Sequence, residues 1–141
     1  MRTFFDTSVL IPVFMEDHEH HERSLRVFLS ADKKHASCAA HSLAEVYATM
    51  TRIPGRHRLA SEQALLFLDD ILERITPVAL TSDEYHTAIR DAAAEEIVGG
   101  TIYDALIAKC ALKARAETVY TWNRRHFERF GRKFAELVRT P

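Results

Sequence analysis

Arg2-Thr3-Phe4-Phe5-Asp6-Thr7-Ser8-Val9-Leu10-Ile11-Pro12-Val13-Phe14 runs apolar, meets one carboxylate and runs apolar again. Arg2 to Phe5 read as a first strand. Thr7 to Phe14 read as a short helix, with Pro12 as its weak point. Asp6 therefore stands at the carboxyl end of a strand, where open parallel sheets bind their ligands. The stretch has an acid in its middle and no small-residue cleavage site, so it does not read as a signal peptide.

The same unit, a short apolar run followed by a helical stretch, repeats outward along the chain. His35 to Ala39 read as a second strand, Thr76 to Leu80 as a third and Thr118 to Thr121 as a fourth. The tail from Ala135 to Val138 reads as a short edge strand. Between them, Asp17–Leu29, Ser42–Arg52, Arg58–Arg74, Ser82–Ile97 and Thr101–Ala114 carry apolar residues at helical spacing. Pro54-Gly55 stop one of these helices, and Gly99-Gly100 are read as closing another. Strands alternating with helices predict an α/β fold: a mostly parallel sheet of four to five strands, flanked by helices. No linker, repeat or low-complexity tract divides it, so residues 1–141 read as one domain.

Two further acids fall in places like that of Asp6. Glu45 lies in Ser42-Leu43-Ala44-Glu45 and Asp104 in Thr101-Ile102-Tyr103-Asp104. Both spacings match a capping box, and Asp6 alone would make a good helix cap. Each acid thus has an ordinary explanation. Taken together, three acids each follow a strand or open a helix, and in an α/β sheet such places converge on one edge. Clustered carboxylates repel one another unless a cation neutralises them. Oxygen-only donors suit Mg²⁺, with Mn²⁺ as a substitute, rather than zinc. Asp104 is also expected at the electropositive start of a buried helix, a place favouring its ionised form.

The stretch Thr121-Trp122-Asn123-Arg124-Arg125-His126-Phe127 follows the fourth strand and reaches the same edge. Thr121 and Asn123 offer neutral oxygens there; Arg124 and Arg125 offer charge to a phosphodiester. Asp17-His18-Glu19-His20-His21-Glu22 has the composition of a metal cluster but reads as a solvated helix start, because structural zinc wants four fixed ligands. Only four glycines occur, none in a phosphate loop, which excludes a nucleotide-binding Rossmann unit. Ser8 lacks the glycines of a nucleophile elbow. Cys38 and Cys110 are isolated in apolar runs, forming neither a disulfide framework nor a zinc site, and suggest a reducing, cytoplasmic setting. No run is long enough to span a membrane. The net charge of −1 argues against tight nonspecific binding to nucleic acid through phosphates. It does not exclude an enzyme whose metal supplies the positive charge.

In this order, FFDTSVLIPVF, SLAEVYATM, TIYDALIAKCA and TWNRRHF resemble the PIN domain, and within it the VapC-type toxins of toxin–antitoxin pairs. The resemblance spans Phe4 to Phe127. It implies a parallel α/β sheet and hydrolysis of RNA phosphodiester bonds with Mg²⁺. It assigns Asp6 and Asp104 as metal ligands, and Glu45 as a ligand, direct or through water. Thr7, Thr121, Asn123, Arg124 and Arg125 are implied to support the metal or contact the substrate. The resemblance further implies a VapB-like antitoxin that reaches the active edge, and a homodimer. A fourth acid is frequent in the family's last motif. This chain has Asn123 and His126 there, so a second, fully acidic metal site is not implied.

Two other functions fit parts of the pattern. A small-molecule phosphatase could use Asp6 as nucleophile, but its common pattern wants a second Asp where Ser8 stands. A non-catalytic PIN-fold binding module would need no carboxylates, and all three are present.

Overall fold

The computed structural model describes residues 2–55 and 58–141. Strand β1 (Thr3–Phe5) lies at the centre of a sheet. It pairs in parallel with β2 (Ala36–Ala39) on one side and β4 (Thr118–Tyr120) on the other, with Thr3 opposite both Ala36 and Thr118. Strand β3 (Thr76–Val78) adds beyond β2, and β5 (Val138–Arg139) beyond β4, both parallel. The order is β3-β2-β1-β4-β5, so the expectation of four to five mostly parallel strands resolves to five, all parallel. Pro77, which cannot donate to a ladder, lies on edge strand β3.

A parallel sheet must be covered on both faces, and alternation along β1 serves both. Phe5 enters a core with Val9, Leu10 and Val13 of α1 (Thr7–Val13), Phe28 of α2 (His21–Leu29), Val46 and Met50 of α3 (Ala40–Arg52), and Ile71 of α4 (Ser61–Arg74). Phe4 enters the opposite core, with Ile107, Ala108 and Ala111 of α6 (Thr101–Lys113), Phe127 of α7 (Arg124–Glu128) and Phe134 of α8 (Arg132–Ala135). Helix α5 (Ser82–Ala94) packs outside α6. Lys113 Nζ ties this layer together, donating to Glu84 Oε1 at 2.6 Å and to the Ala79 carbonyl at 2.8 Å.

Several boundaries differ from those expected. The helix predicted from Ser42 begins at Ala40, after Ala39 in extended conformation (ψ 139°). The helix predicted from Asp17 begins at His21, after a turn in which His21 N bonds the His18 carbonyl. The helix predicted from Arg58 begins at Ser61, because Ala60 is extended. The helix predicted to run to Ile97 ends at Ala94, and Gly99-Gly100 do not close it. Glu96 does, at φ +57°, with Ile97 N bonded to the Ala92 carbonyl and Glu96 N to the Ala93 carbonyl. Arg115, at φ +56°, closes α6 in the same way, with Ala116 N bonded to the Ala111 carbonyl. This is the Schellman pattern with a side chain where glycine is usual. The edge strand predicted from Ala135 covers Val138–Arg139, since Ala135 still belongs to α8. Helices α7 and α8 were not predicted.

Candidate active site

The carboxyl ends of β1 and β4 lie side by side, with Asp6 N donating to the Tyr120 carbonyl at 3.0 Å. This ladder bond brings Asp6 beside Thr121. Asp6 is 4% exposed and Thr121 fully buried. Asp6 occupies the N-cap position of α1, yet its side chain caps nothing. Its Oδ2 accepts instead from Ser8 Oγ at 2.7 Å and Thr121 Oγ1 at 2.8 Å. Both hydroxyls are oriented by backbone donors: Trp122 N reaches Ser8 Oγ at 3.0 Å, and Asn123 N reaches Thr121 Oγ1 at 2.9 Å. Among the described residues no hydrogen bond reaches Asp6 Oδ1. Ordinary capping therefore does not account for Asp6; the carboxylate is held in one orientation with one oxygen left over.

Glu45 is also no cap. Because α3 starts two residues before Ser42, the Ser42–Glu45 spacing falls inside the helix, and no side chain caps its N-terminus. Thr7 Oγ1 lies 2.8 Å from buried Ser42 Oγ and 3.1 Å from Glu45 Oε1. The residue after Asp6 thus holds Glu45, while His41 Nε2 stands 3.9 Å from the same oxygen.

Asp104 sits in the first turn of α6, whose N-cap position is Gly100, again without a side-chain cap. Its carboxyl lies above the ordinary range. Burial is the main cause and the nearby Asp6 carboxylate adds to it, while His126 and Arg129 pull the other way. The expected preference of a helix start for the ionised form is therefore outweighed. His126 Nδ1 lies 3.7 Å from Asp104 Oδ2. Arg129 is fixed by donating to Thr101 Oγ1 at 3.1 Å.

The structure thus brings Asp6, Thr7, Thr121, Glu45 and Asp104 to the carboxyl edge of the central strands. It does not pack the three acids tightly: among the described residues, no three His, Cys, Asp or Glu side chains are arranged to hold a metal between them. That applies equally to the His18–Glu22 region. There His21 Nδ1 bonds the Pro12 carbonyl at 2.8 Å, and His20 stacks on Trp122 at 3.7 Å. Trp122 Nε1 donates to buried Ser24 at 2.9 Å, so the indole packs within the protein. Arg124, Arg125 and Asn123 are exposed; Arg124 pairs with Glu128 at 3.4 Å. Sequence reasoning missed Ser8 and Ser42 as holders of the acids, and Arg129 as a cation facing Asp104.

Oxygen donors, a like-charge pair and a carboxylate oxygen without a donor fit a hard divalent cation. Mg²⁺ keeps several waters and takes only one or two carboxylates, so it does not require three acids in contact.

A PIN-domain family profile matches residues 3–133. The chain is 38% identical over 112 residues to Ribonuclease VapC27 of Mycobacterium tuberculosis, covering 79% of this chain and 78% of that protein. It is 32% identical over 132 residues to Ribonuclease VapC40 of the same species, covering 94% of each. Among solved structures it is similar to a chain of VapBC2 from Rickettsia felis, determined with a DNA fragment from the promoter. The TM-score is 0.67 at 17% identity, over 100% of this chain and 99% of that one, a likeness of fold.

Proposed function

This chain belongs to the PIN-domain family, and from that premise we propose that it is a Mg²⁺-dependent endoribonuclease, the toxin of a type II toxin–antitoxin pair. The observation that carries the reading is the orientation of Asp6 by Ser8 and Thr121 within the field of Asp104. Capping alone would need none of it. The names of the similar ribonucleases support RNA as substrate.

In this proposal Asp6 and Asp104 hold the ion directly and Glu45 holds it directly or through water. When bound, the ion neutralises the phosphodiester and makes a water more acidic. The chain's own part is positional. Ser8 and Thr121 bind Asp6 Oδ2 and leave Oδ1 to point elsewhere, Thr7 restrains Glu45, and Trp122 N and Asn123 N fix the two hydroxyls. His126, when protonated, and Arg129 offset the charge of Asp104 before substrate arrives. Exposed Arg124 and Arg125, one turn from Thr121, contact the RNA backbone. Asn123 presents its amide at the same edge.

The partner we propose is a VapB-like antitoxin; a charged side chain such as Arg from it would neutralise the carboxylates as a metal does. Exposed Leu65 and Leu66 on α4 give apolar surface for that partner or for a homodimer. Both cysteines are free thiols, and among the described residues no helix is long and apolar enough to cross a membrane. These fit a cytoplasmic protein. The test compares RNA cleavage with Mg²⁺ by the wild type and by Asp6→Asn. Cleavage is expected from the wild type only, and equal activity in both overturns the assignment.

A further inference from the structure

Immediately beside the carboxylates, a half-open cavity of about 150 Å³ lies beneath the N-terminal half of α6. Its walls include His41, Val78, Leu80, Tyr85, Tyr103 and Leu106. With Ala39 at the end of β2, these come from the carboxyl end of β3 and from α3, α5 and α6, so the cavity opens on the same edge as Asp6. It adjoins the acids through His41, which stands 3.9 Å from Glu45, and shares α6 with Asp104, which follows Tyr103 in the chain. Tyr103 is 61% exposed and Tyr85 is 41% exposed. Neither fills the core, and neither bonds another protein group through its hydroxyl among the described residues.

We propose that this cavity is a nucleobase subsite, taking one unpaired base next to the scissile phosphate of the RNA, with Tyr103 and Tyr85 as its stacking surfaces. The proposal rests on the ribonuclease reading above. Three observations favour a base over other occupants. The first is continuity. A phosphodiester held at the carboxylates has its flanking nucleosides beside it, and the cavity is an apolar recess that adjoins Glu45 through His41 on that edge. The second is size. A docked helix needs a trough that receives anchors one and two turns apart; this recess suits one planar group. The third is charge. The chain carries a net −1, so phosphate contacts alone hold RNA weakly, and stacking on aromatic rings supplies affinity that does not depend on a basic surface.

The test uses the full chain and a single-stranded RNA oligonucleotide spanning a position that the wild type cleaves in total cellular RNA. Kinetics are measured for wild type, Tyr103→Ala and Tyr103→Phe, with intact RNA and with an abasic residue on either side of the cleaved bond. Loss of one stacking ring is expected to raise KM about tenfold in Tyr103→Ala, with a smaller change in kcat. Phenylalanine, which keeps the ring face, restores it. One abasic position should raise the wild-type KM similarly and add little to Tyr103→Ala, as for two changes that remove one contact. An unchanged KM in Tyr103→Ala overturns the subsite while leaving the ribonuclease reading intact. So does a Tyr103→Ala variant that cleaves normally but loses mass by light scattering, which would assign the cavity to a second copy of the chain. If the wild type cleaves no RNA with Mg²⁺ or Mn²⁺, the ribonuclease reading itself fails, and the subsite with it.

Discussion

Replacing Thr121 by valine tests how much the held carboxylate matters to the fold. The substitution keeps the shape of a fully buried side chain, so no cavity opens. It removes the 2.8 Å hydrogen bond to Asp6 Oδ2, leaving that oxygen with Ser8 alone. Hydrogen bonds to charged groups are worth about 1.5–3 kcal/mol, and Asp6 is only 4% exposed, so water cannot easily replace the lost donor. Asn123 N also loses its acceptor, but Asn123 is exposed and water satisfies it. The expected cost is about 2 kcal/mol. For a chain of this length that corresponds to a fall in Tm of about 6–8 °C. Thermal unfolding should be followed by circular dichroism in EDTA, so that no bound ion compensates. Thr121→Ser, which keeps the hydroxyl, should recover most of the loss. A valine variant within about 2 °C of wild type would refute the reasoning, as would a serine variant that falls as far as the valine.

Three further outcomes are expected. Asp104 has its carboxyl raised, so the folded state binds this proton more tightly than the unfolded chain. Stability of the metal-free protein should therefore decline as pH rises from the unfolded carboxylate value through the raised folded one. Asp104→Asn should flatten that part of the profile and Mg²⁺ should counter the decline; identical denaturation profiles for variant and wild type would contradict this. Glu84 is the opposite case, lowered chiefly by the Lys113 ammonium and then by the Thr81 backbone. Its contribution is present above the unfolded carboxylate value and lost as pH falls through the lowered folded one, so Lys113→Met should lower Tm at neutral pH and differ less from wild type in acid, where the lost bond to the Ala79 carbonyl remains. Burial pushes the Cys38 thiol up to about 12 and the Cys110 thiol up to about 11. Neither should react with a disulfide reagent at neutral pH until the protein is denatured; rapid labelling of the native protein would show those sites to be open.

The sheet and the place of Asp6 were legible because apolar runs of strand length are separated by helical spacings, and because Asp6 directly follows one such run. The roles of Glu45 and Asp104 were less so. A Ser-x-x-Glu spacing looks the same whether the helix starts at the serine or two residues earlier, and only the extended backbone of Ala39 decides it. Ser8 and Ser42 were missed because a hydroxyl's role lies in its partner: Ser8 meets Thr121 across 113 residues, and Ser42 meets Thr7 across 35. The end of α5 was misjudged for a different reason. Local rules expect glycine at a left-handed residue, and the chain places Glu96 and Arg115 there, each at a steric cost of about 1–2 kcal/mol that the two closing hydrogen bonds offset.

The bond between Thr121 and Asp6 spans 115 residues. Its consequence is one of timing. A growing chain makes Asp6, Thr7 and Ser8 well before β4, and β1 is flanked on its second side only when β4 exists. At roughly 5–20 residues per second, that interval is on the order of ten seconds. For its last part, once Asp104 is made, the nascent chain carries all three acids and Ser8 but lacks Thr121 Oγ1 and Trp122 N, which complete the hold on Asp6. Assembly of the edge is thus tied to the synthesis of β4, and a fragment that stops between Asp104 and β4 contains every acid but lacks the arrangement.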